Sequence, residues 1–325
     1  MNKLFENACN RVEQPTPPIW MMRQAGRYQK GYMELKQNFT FEQMCKLPKV
    51  AAEVAMLPIN QFDFDIAILF SDILFPIEGL GIPLKFDPGP KFEWLLTEEN
   101  YKNHMDVEAA IEHMDFQSRA ITATKEMLPS NKSLIGFVGG PWTLLNYATG
   151  KQKTSTKFKV EYLREVIIPL LNRNIHLQLR SGAEKVMILD SGVGNMSEGF
   201  FKDHYKELLQ SMIMANVGYY TQHLNPKCMP SLLKMEWKGI GIDSGVDITK
   251  TMKKYTTGFV QGNFDEKLML LSSTMECRKE INLFLDKMET VDRTGWICGL
   301  GHGIQKTTPE ENVKLFVDMV RERFK

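Results

Sequence analysis

Two arginines four residues apart open the chemistry of this chain. Arg23 and Arg27 flank Gln24-Ala25-Gly26 in the run PIWMMRQAGRY at 18–28. A guanidinium is a planar fork that binds a carboxylate or phosphate through two parallel N–H bonds. Placed either side of a small turn, two forks can aim at one anionic ligand; the plain alternative is a pair of exposed loop arginines. Asp72 stands in Phe70-Ser71-Asp72-Ile73-Leu74-Phe75. A carboxylate set among apolar residues is costly to bury unless it is paired or hydrogen-bonded. One reading makes it the N-cap of the next helix. The other keeps it for a ligand with several N–H donors, because an ionised carboxylate only accepts and offers about four lone-pair sites.

Two further segments carry candidate chemistry. In Gly136-Phe137-Val138-Gly139-Gly140-Pro141-Trp142 and onward to Asn146-Tyr147, the glycines would allow a backbone to approach a ligand closely. Trp142 and Tyr147 would wall a pocket or pack in the core, and the core reading is preferred for Trp142. In Gly299-Leu300-Gly301-His302-Gly303-Ile304, a histidine between glycines has little cover and can donate, accept or carry charge near neutral pH; a loop histidine with no special role is the alternative. No G-x-S-x-G elbow, Walker A loop or dinucleotide fingerprint accompanies them.

The elements that must position these residues are short β-rich runs at 19–22, 66–70, 133–138, 185–189, 217–221, 239–242, 258–261 and 296–298, eight candidate strands. Helical spacing appears between them at 41–58, 106–128 and 162–181. A last helix at 309–324 has Thr307 or Thr308 as N-cap and Val313, Phe316, Val317 and Val320 as its buried stripe. Strand–helix alternation repeated eight times predicts an α/β fold, a (β/α)₈ TIM barrel spanning 1–325 as a single domain; an open doubly wound sheet is the alternative. Polar residues and glycines follow the strands at Ser71-Asp72, Gly139-Gly140, Asp190-Ser191, Gly262-Asn263 and Gly299–Gly303. A barrel places its active site at the C-terminal ends of its strands.

Composition excludes several classes. Of 325 residues, 43 % are hydrophobic and 24 % charged, and 40 Lys+Arg against 39 Asp+Glu leave a net charge of +1. That balance speaks against a general nucleic-acid or membrane-surface binder, and no apolar run reaches the roughly 18 residues of a membrane span. The five cysteines are scattered and odd in number, which argues against a disulfide framework. His223 and Cys228, or Cys298 and His302, have no companion pair at zinc spacing, so no metal is expected. The opening stretch lacks a secretory h-region, and a reduced, cytoplasmic setting is expected.

In combination, PIWMMRQAGRY at 18–28, FDFDIAILFSDIL at 62–74, IGFVGGPWTLLNY at 135–147, GFVQGNFD at 258–265 and GLGHGI at 299–304 resemble the uroporphyrinogen decarboxylase family, in order and over nearly the whole chain. The resemblance implies a (β/α)₈ barrel and a cofactor-free enzyme of heme biosynthesis, working as a cytosolic homodimer. It would convert the four acetates of uroporphyrinogen III to methyls, giving coproporphyrinogen III. It maps the substrate-binding and catalytic set onto Arg23, Arg27, Asp72, Tyr147, Ser191 and His302. Asp72 would hold the pyrrole N–H groups and steady a cationic ring. The arginines would bind carboxylates, as would Tyr147, Ser191 and His302. A protonated pyrrole is its own electron sink, so no metal or pyridoxal is required.

The chain departs from the family pattern in places. Lys36 stands where a third arginine is usual and keeps the charge without the fork. Asp190-Ser191-Gly192-Val193-Gly194 lacks the usual large residue and Ala-Gly, so wall contacts there are expected to be missing. Asp243-Ser244 replaces Asp-Trp, and 216–240 looks shortened. Two rivals remain: a superfamily methyltransferase, which would need a His-x-Cys zinc motif that this sequence lacks, and a porphyrinogen-binding protein with weak or no turnover.

Overall fold

In the computed structural model, which describes residues 1–325, the apolar runs become parallel strands buried on both faces, as a sheet covered by helices requires. They are β1 Ile66–Ile68, β4 Ser133–Gly139, β5 Lys185–Asp190, β6 Val217–Thr221, β7 Gly239–Ile242, β8 Phe259–Phe264 and β9 Trp296–Leu300; β2 Leu84–Phe86 and β3 Pro90–Phe92 form a separate antiparallel hairpin. The seven parallel strands pair in the order β1-β4-β5-β6-β7-β8-β9.

The ring closes through Ile19. Ile19 bridges Cys298 of β9 in parallel; Trp20 N–H donates to the Cys298 carbonyl at 3.1 Å and Cys298 N–H to that of Pro18 at 2.9 Å. On the other side Asp65 N–H donates to the Ile19 carbonyl at 3.2 Å. The Asp65 carboxylate accepts Ile19 N–H at 2.7 Å and meets Arg321 Nη2 at 2.5 Å, tying the seam to the last helix. An open doubly wound sheet is thereby excluded. The expected strand at 19–22 shrinks to this one bridge, because the chain turns at once: Gln24 N–H bonds back to Met21 C=O.

The helices correct the sequence reading where apolar spacing hid a break. The run 41–58 is two helices, Phe41–Lys46 and Pro48–Phe62. Pro48 starts the second, where its missing N–H costs nothing. Pro58 sits inside that helix instead of ending it. The run 106–128 splits at Met114 into Val107–His113 and Asp115–Met127. The third helix begins before 162, at Thr156 with Ser155 as its cap, and passes through a π-turn at Leu163–Ile167 on its way to Arg180. The last helix is Glu310–Arg323; Pro309 occupies the cap position, neither Thr307 nor Thr308 caps it, and its stripe is buried as expected. No helix is long and apolar enough to cross a membrane.

Candidate active site

One large cavity, about 970 Å³, opens at the C-terminal ends of the strands. That volume lies at the upper end of ordinary small-molecule pockets. Seven of the residues named above line it: Arg23, Arg27, Lys36, Asp72, Tyr147, Ser191 and His302.

The arginine segment works as a buried anchor with two free arms. Gln24 and Gln29 are fully buried. Gln24 Nε2 donates to the Ile66 carbonyl at 2.9 Å, Tyr28 OH donates to the Gln24 carbonyl at 2.6 Å, and Gln29 Nε2 reaches Gln61 Oε1 at 3.0 Å. Arg23, just before Gln24, and Arg27, between the two glutamines, are left exposed at the cavity. Arg23 has φ +57°, a left-handed backbone that a non-glycine residue adopts only when its surroundings hold it there. The arginines that form ion pairs are Arg119, Arg164, Arg173, Arg321 and Arg323. Arg23 and Arg27 are unpaired.

Asp72 follows β1. Its Oδ1 accepts Leu74 N–H at 2.9 Å. The next helix is Phe75–Gly79, capped at Leu74 without a side-chain bond, so Asp72 is not its N-cap. The local bond uses one of its roughly four acceptor sites and leaves about three for the cavity. Burial pushes its carboxyl pKa up to about 6, against the pull of Leu74 N–H and the Arg23 charge. It is thus mostly ionised at neutral pH.

Tyr147, Ser191 and His302 line the same cavity. Tyr147 lies on the helix Pro141–Ala148 and is 44 % exposed. Ser191 follows Asp190, which is saturated by donors: Thr143 N–H at 2.9 Å, Thr143 Oγ1 at 2.7 Å, Tyr219 OH at 2.7 Å, and Tyr205 OH. Asp190 is structural, and it fixes the helix that carries Tyr147. His302 Nδ1 lies 3.0 Å from Tyr220 OH. Burial, then the Arg23 and His223 charges, push its pKa down to about 4, with Asp243 opposing.

Other readings change. The glycines at 139 and 140 do not approach a ligand: a Cβ on Gly139 would meet Leu144, and one on Gly140 would fall 2.2 Å from Asp190. Trp142 is packed away, its indole N–H on Asn195 Oδ1 at 2.8 Å. Gly192 turns towards Thr143 and Asn146, and neither it nor Val193 lines the cavity. Lys36 sits on the helix Lys30–Asn38, exposed at the rim. Tyr32, Tyr220, Gln305, Lys306 and the hairpin tip 86–90 also line the cavity. The sequence reading passed over them; Asp87-Pro88-Gly89 is a turn signal that would have marked the tip, whereas Tyr220 looks like any interior strand residue.

Comparison with known proteins follows the same line. A family model described as uroporphyrinogen decarboxylase matches residues 1–323. The uroporphyrinogen decarboxylase of Carboxydothermus hydrogenoformans is 33 % identical over 99 % of this chain and 97 % of its own length. One from Thermus thermophilus is 31 % identical over 99 % and 98 %. Among solved structures, a methyltransferase from Methanosarcina mazei superposes with a TM-score of 0.78 over the whole of both chains at 15 % identity, which speaks to the fold alone. With Asp72, Arg23 and Arg27 gathered at one barrel mouth and the match running end to end, the chain belongs to the uroporphyrinogen decarboxylase family, carboxy-lyases of porphyrin biosynthesis.

Proposed function

We propose that this cavity decarboxylates uroporphyrinogen III to coproporphyrinogen III, acetate by acetate, with Asp72 as the residue that holds the ring. The observation that carries this reading is Asp72, with a single local hydrogen bond, sharing one large cavity with two unpaired arginines. A carboxylate with about three open acceptor sites suits a ring of pyrrole N–H donors, some of them sharing a site. Unpaired guanidinium forks suit a substrate with eight carboxylates.

The chemistry needs an electron sink. Protonation of the ring carbon next to the one that bears the acetate makes the pyrrole a cation conjugated to the acetate-bearing carbon. The bond to the carboxylate then breaks, CO₂ leaves, and its electron pair neutralises the ring as an exocyclic methylene. A second proton on that methylene gives the methyl group, and the ring carbon returns its own proton, so each turn consumes one proton net. Asp72 stabilises the cation from a site poor in water, where such stabilisation is largest. Arg23 and Arg27 bind and orient carboxylates, and Lys36 adds charge at the rim. Tyr147 and Ser191 donate hydroxyl bonds, and His302 completes the polar wall. The chain would act as one barrel domain, in the cytosol, as a homodimer.

Incubation of the pure protein with uroporphyrinogen III under reducing conditions, without added metal or corrinoid, tests the proposal. The expected result is coproporphyrinogen with four CO₂ released per tetrapyrrole, one from each pyrrole. Tight substrate binding with no CO₂ would reject turnover and leave a binding protein.

A further inference from the structure

Tyr220 lies in β6 with only 1 % of its surface exposed, yet it touches the cavity. Its oxygen stands 2.8 Å from the Gly301 carbonyl oxygen and 3.0 Å from His302 Nδ1. A phenol has one proton to give. The carbonyl can only accept and has no other donor, so the proton belongs to that bond. The second contact is then one in which His302 Nδ1–H donates and the phenol oxygen accepts. The two rings lie almost parallel, 19° apart. His302 Nε2 has no partner in the chain, is not enclosed, and is left to the cavity.

We propose that Tyr220 is a positioning residue that holds His302 as the Nδ1–H tautomer, so that the cavity meets a hydrogen-bond acceptor at Nε2 and not a donor. Which ring nitrogen carries the proton is set by the bond the other nitrogen makes. The charged and titratable groups around the ring are Arg23, His223, Asp243 and Tyr220 itself; burial first and then the Arg23 charge favour the neutral ring, with Asp243 opposing. An ionised substrate carboxylate gains nothing from a lone pair. Carboxylates therefore fall to the arginines and free hydroxyls, and Nε2 takes an N–H or a protonated-carboxyl donor. This sharpens the role of His302, which the family resemblance alone casts as a carboxylate ligand.

The first arm of the test does not depend on the proposed reaction. The ¹⁵N spectrum of histidine-labelled, ligand-free protein, with the His302 signal assigned by its loss in His302→Gln, should show Nδ1 protonated and Nε2 bare. In Tyr220→Phe the Nε2–H form should appear. A wild-type ring protonated at Nε2, or a Tyr220→Phe spectrum identical to wild type, would overturn the proposal. The second arm rests on the decarboxylase reading. Tyr220→Phe should lower kcat/KM by roughly two- to tenfold, the worth of one hydrogen bond, and produce no further loss in a His302→Gln background. Equal losses in both backgrounds would mean a merely structural tyrosine. Absent turnover by the wild type would sink the decarboxylase reading, and the spectrum would still decide the tautomer.

Discussion

The stem of Arg23 lies across Gly303 so closely that a Cβ at 303 would stand 2.5 Å from Arg23 Cδ and 2.8 Å from its Cγ. The glycine is a seat for the arginine, and the contact links two motifs almost the whole chain apart. Gly303→Ala has an open backbone conformation to occupy, and the flexible arginine must give way. Stability should change by less than about 1 kcal/mol. Because a displacement of about 1 Å in a positioning group is expensive, kcat/KM should fall about tenfold or more. Steady-state kinetics beside a thermal melt checks this; unchanged kinetics would remove Arg23 from the substrate site.

Asp72 titrates where it matters for both stability and activity. Burial raises its pKa from 3.8 to about 6 despite Leu74 N–H and Arg23. Between those values the native chain holds a proton that the unfolded chain has released. Its favourable contribution is therefore complete below 3.8, drains away as pH rises through about 6, and is absent at pH 7. Asp72→Asn should accordingly stabilise the ligand-free protein by about 1–2 kcal/mol at pH 7, and by less towards pH 4. The wild type should show an acid limb in kcat/KM near pH 6. Urea unfolding at the two pH values and a pH–rate profile test the pair; a variant less stable than wild type at neutral pH would contradict the assigned burial.

The barrel seam hangs on Asp65, whose carboxylate accepts Ile19 N–H and pairs with Arg321. Arg321→Leu strands a buried carboxylate, whose pKa burial already raises against the pull of Arg321. The expected cost is about 2–4 kcal/mol. Adding Asp65→Asn should return part of it, since the amide needs no counter-charge. Denaturant midpoints of the single and double variants measure this; a loss below about 0.5 kcal/mol would show that the pair does not hold the ring shut.

The legible parts of this molecule were those in which one local cause acts. Apolar β-rich runs fixed seven of the eight expected barrel strands close to their observed bounds, because a strand buried on both faces leaves little choice of residue. Asp72 was readable because charge among apolar residues needs a reason, and the arginines because two forks flank one small turn. The rest depended on distant partners. Nothing near Gly139-Gly140 announces that Leu144 and Asp190 fill the space beside them. Nothing near Tyr220 shows a histidine 82 residues on. Helix breaks at Leu47 and Met114 were hidden by an apolar spacing that runs on through them.

Lys36 sits exposed at the cavity rim, where it supplies charge without a fork. Lys36→Arg should lower KM by roughly two- to threefold, and Lys36→Ala should raise it by a similar factor, both effects fading as salt rises. KM measured at low and high ionic strength tests this. Indifference to both substitutions would place position 36 outside the substrate's reach.

Whether the reaction hangs on the carboxylate at position 72 is tested most directly by turnover of uroporphyrinogen III in a correctly folded Asp72→Asn protein. The amide keeps the shape and removes the negative charge that faces the ring. The account predicts that kcat/KM drops by at least about a hundredfold, the scale of losing a main electrostatic stabiliser, while the melt is intact or raised. A folded Asp72→Asn enzyme forming coproporphyrinogen at close to the wild-type rate would contradict it.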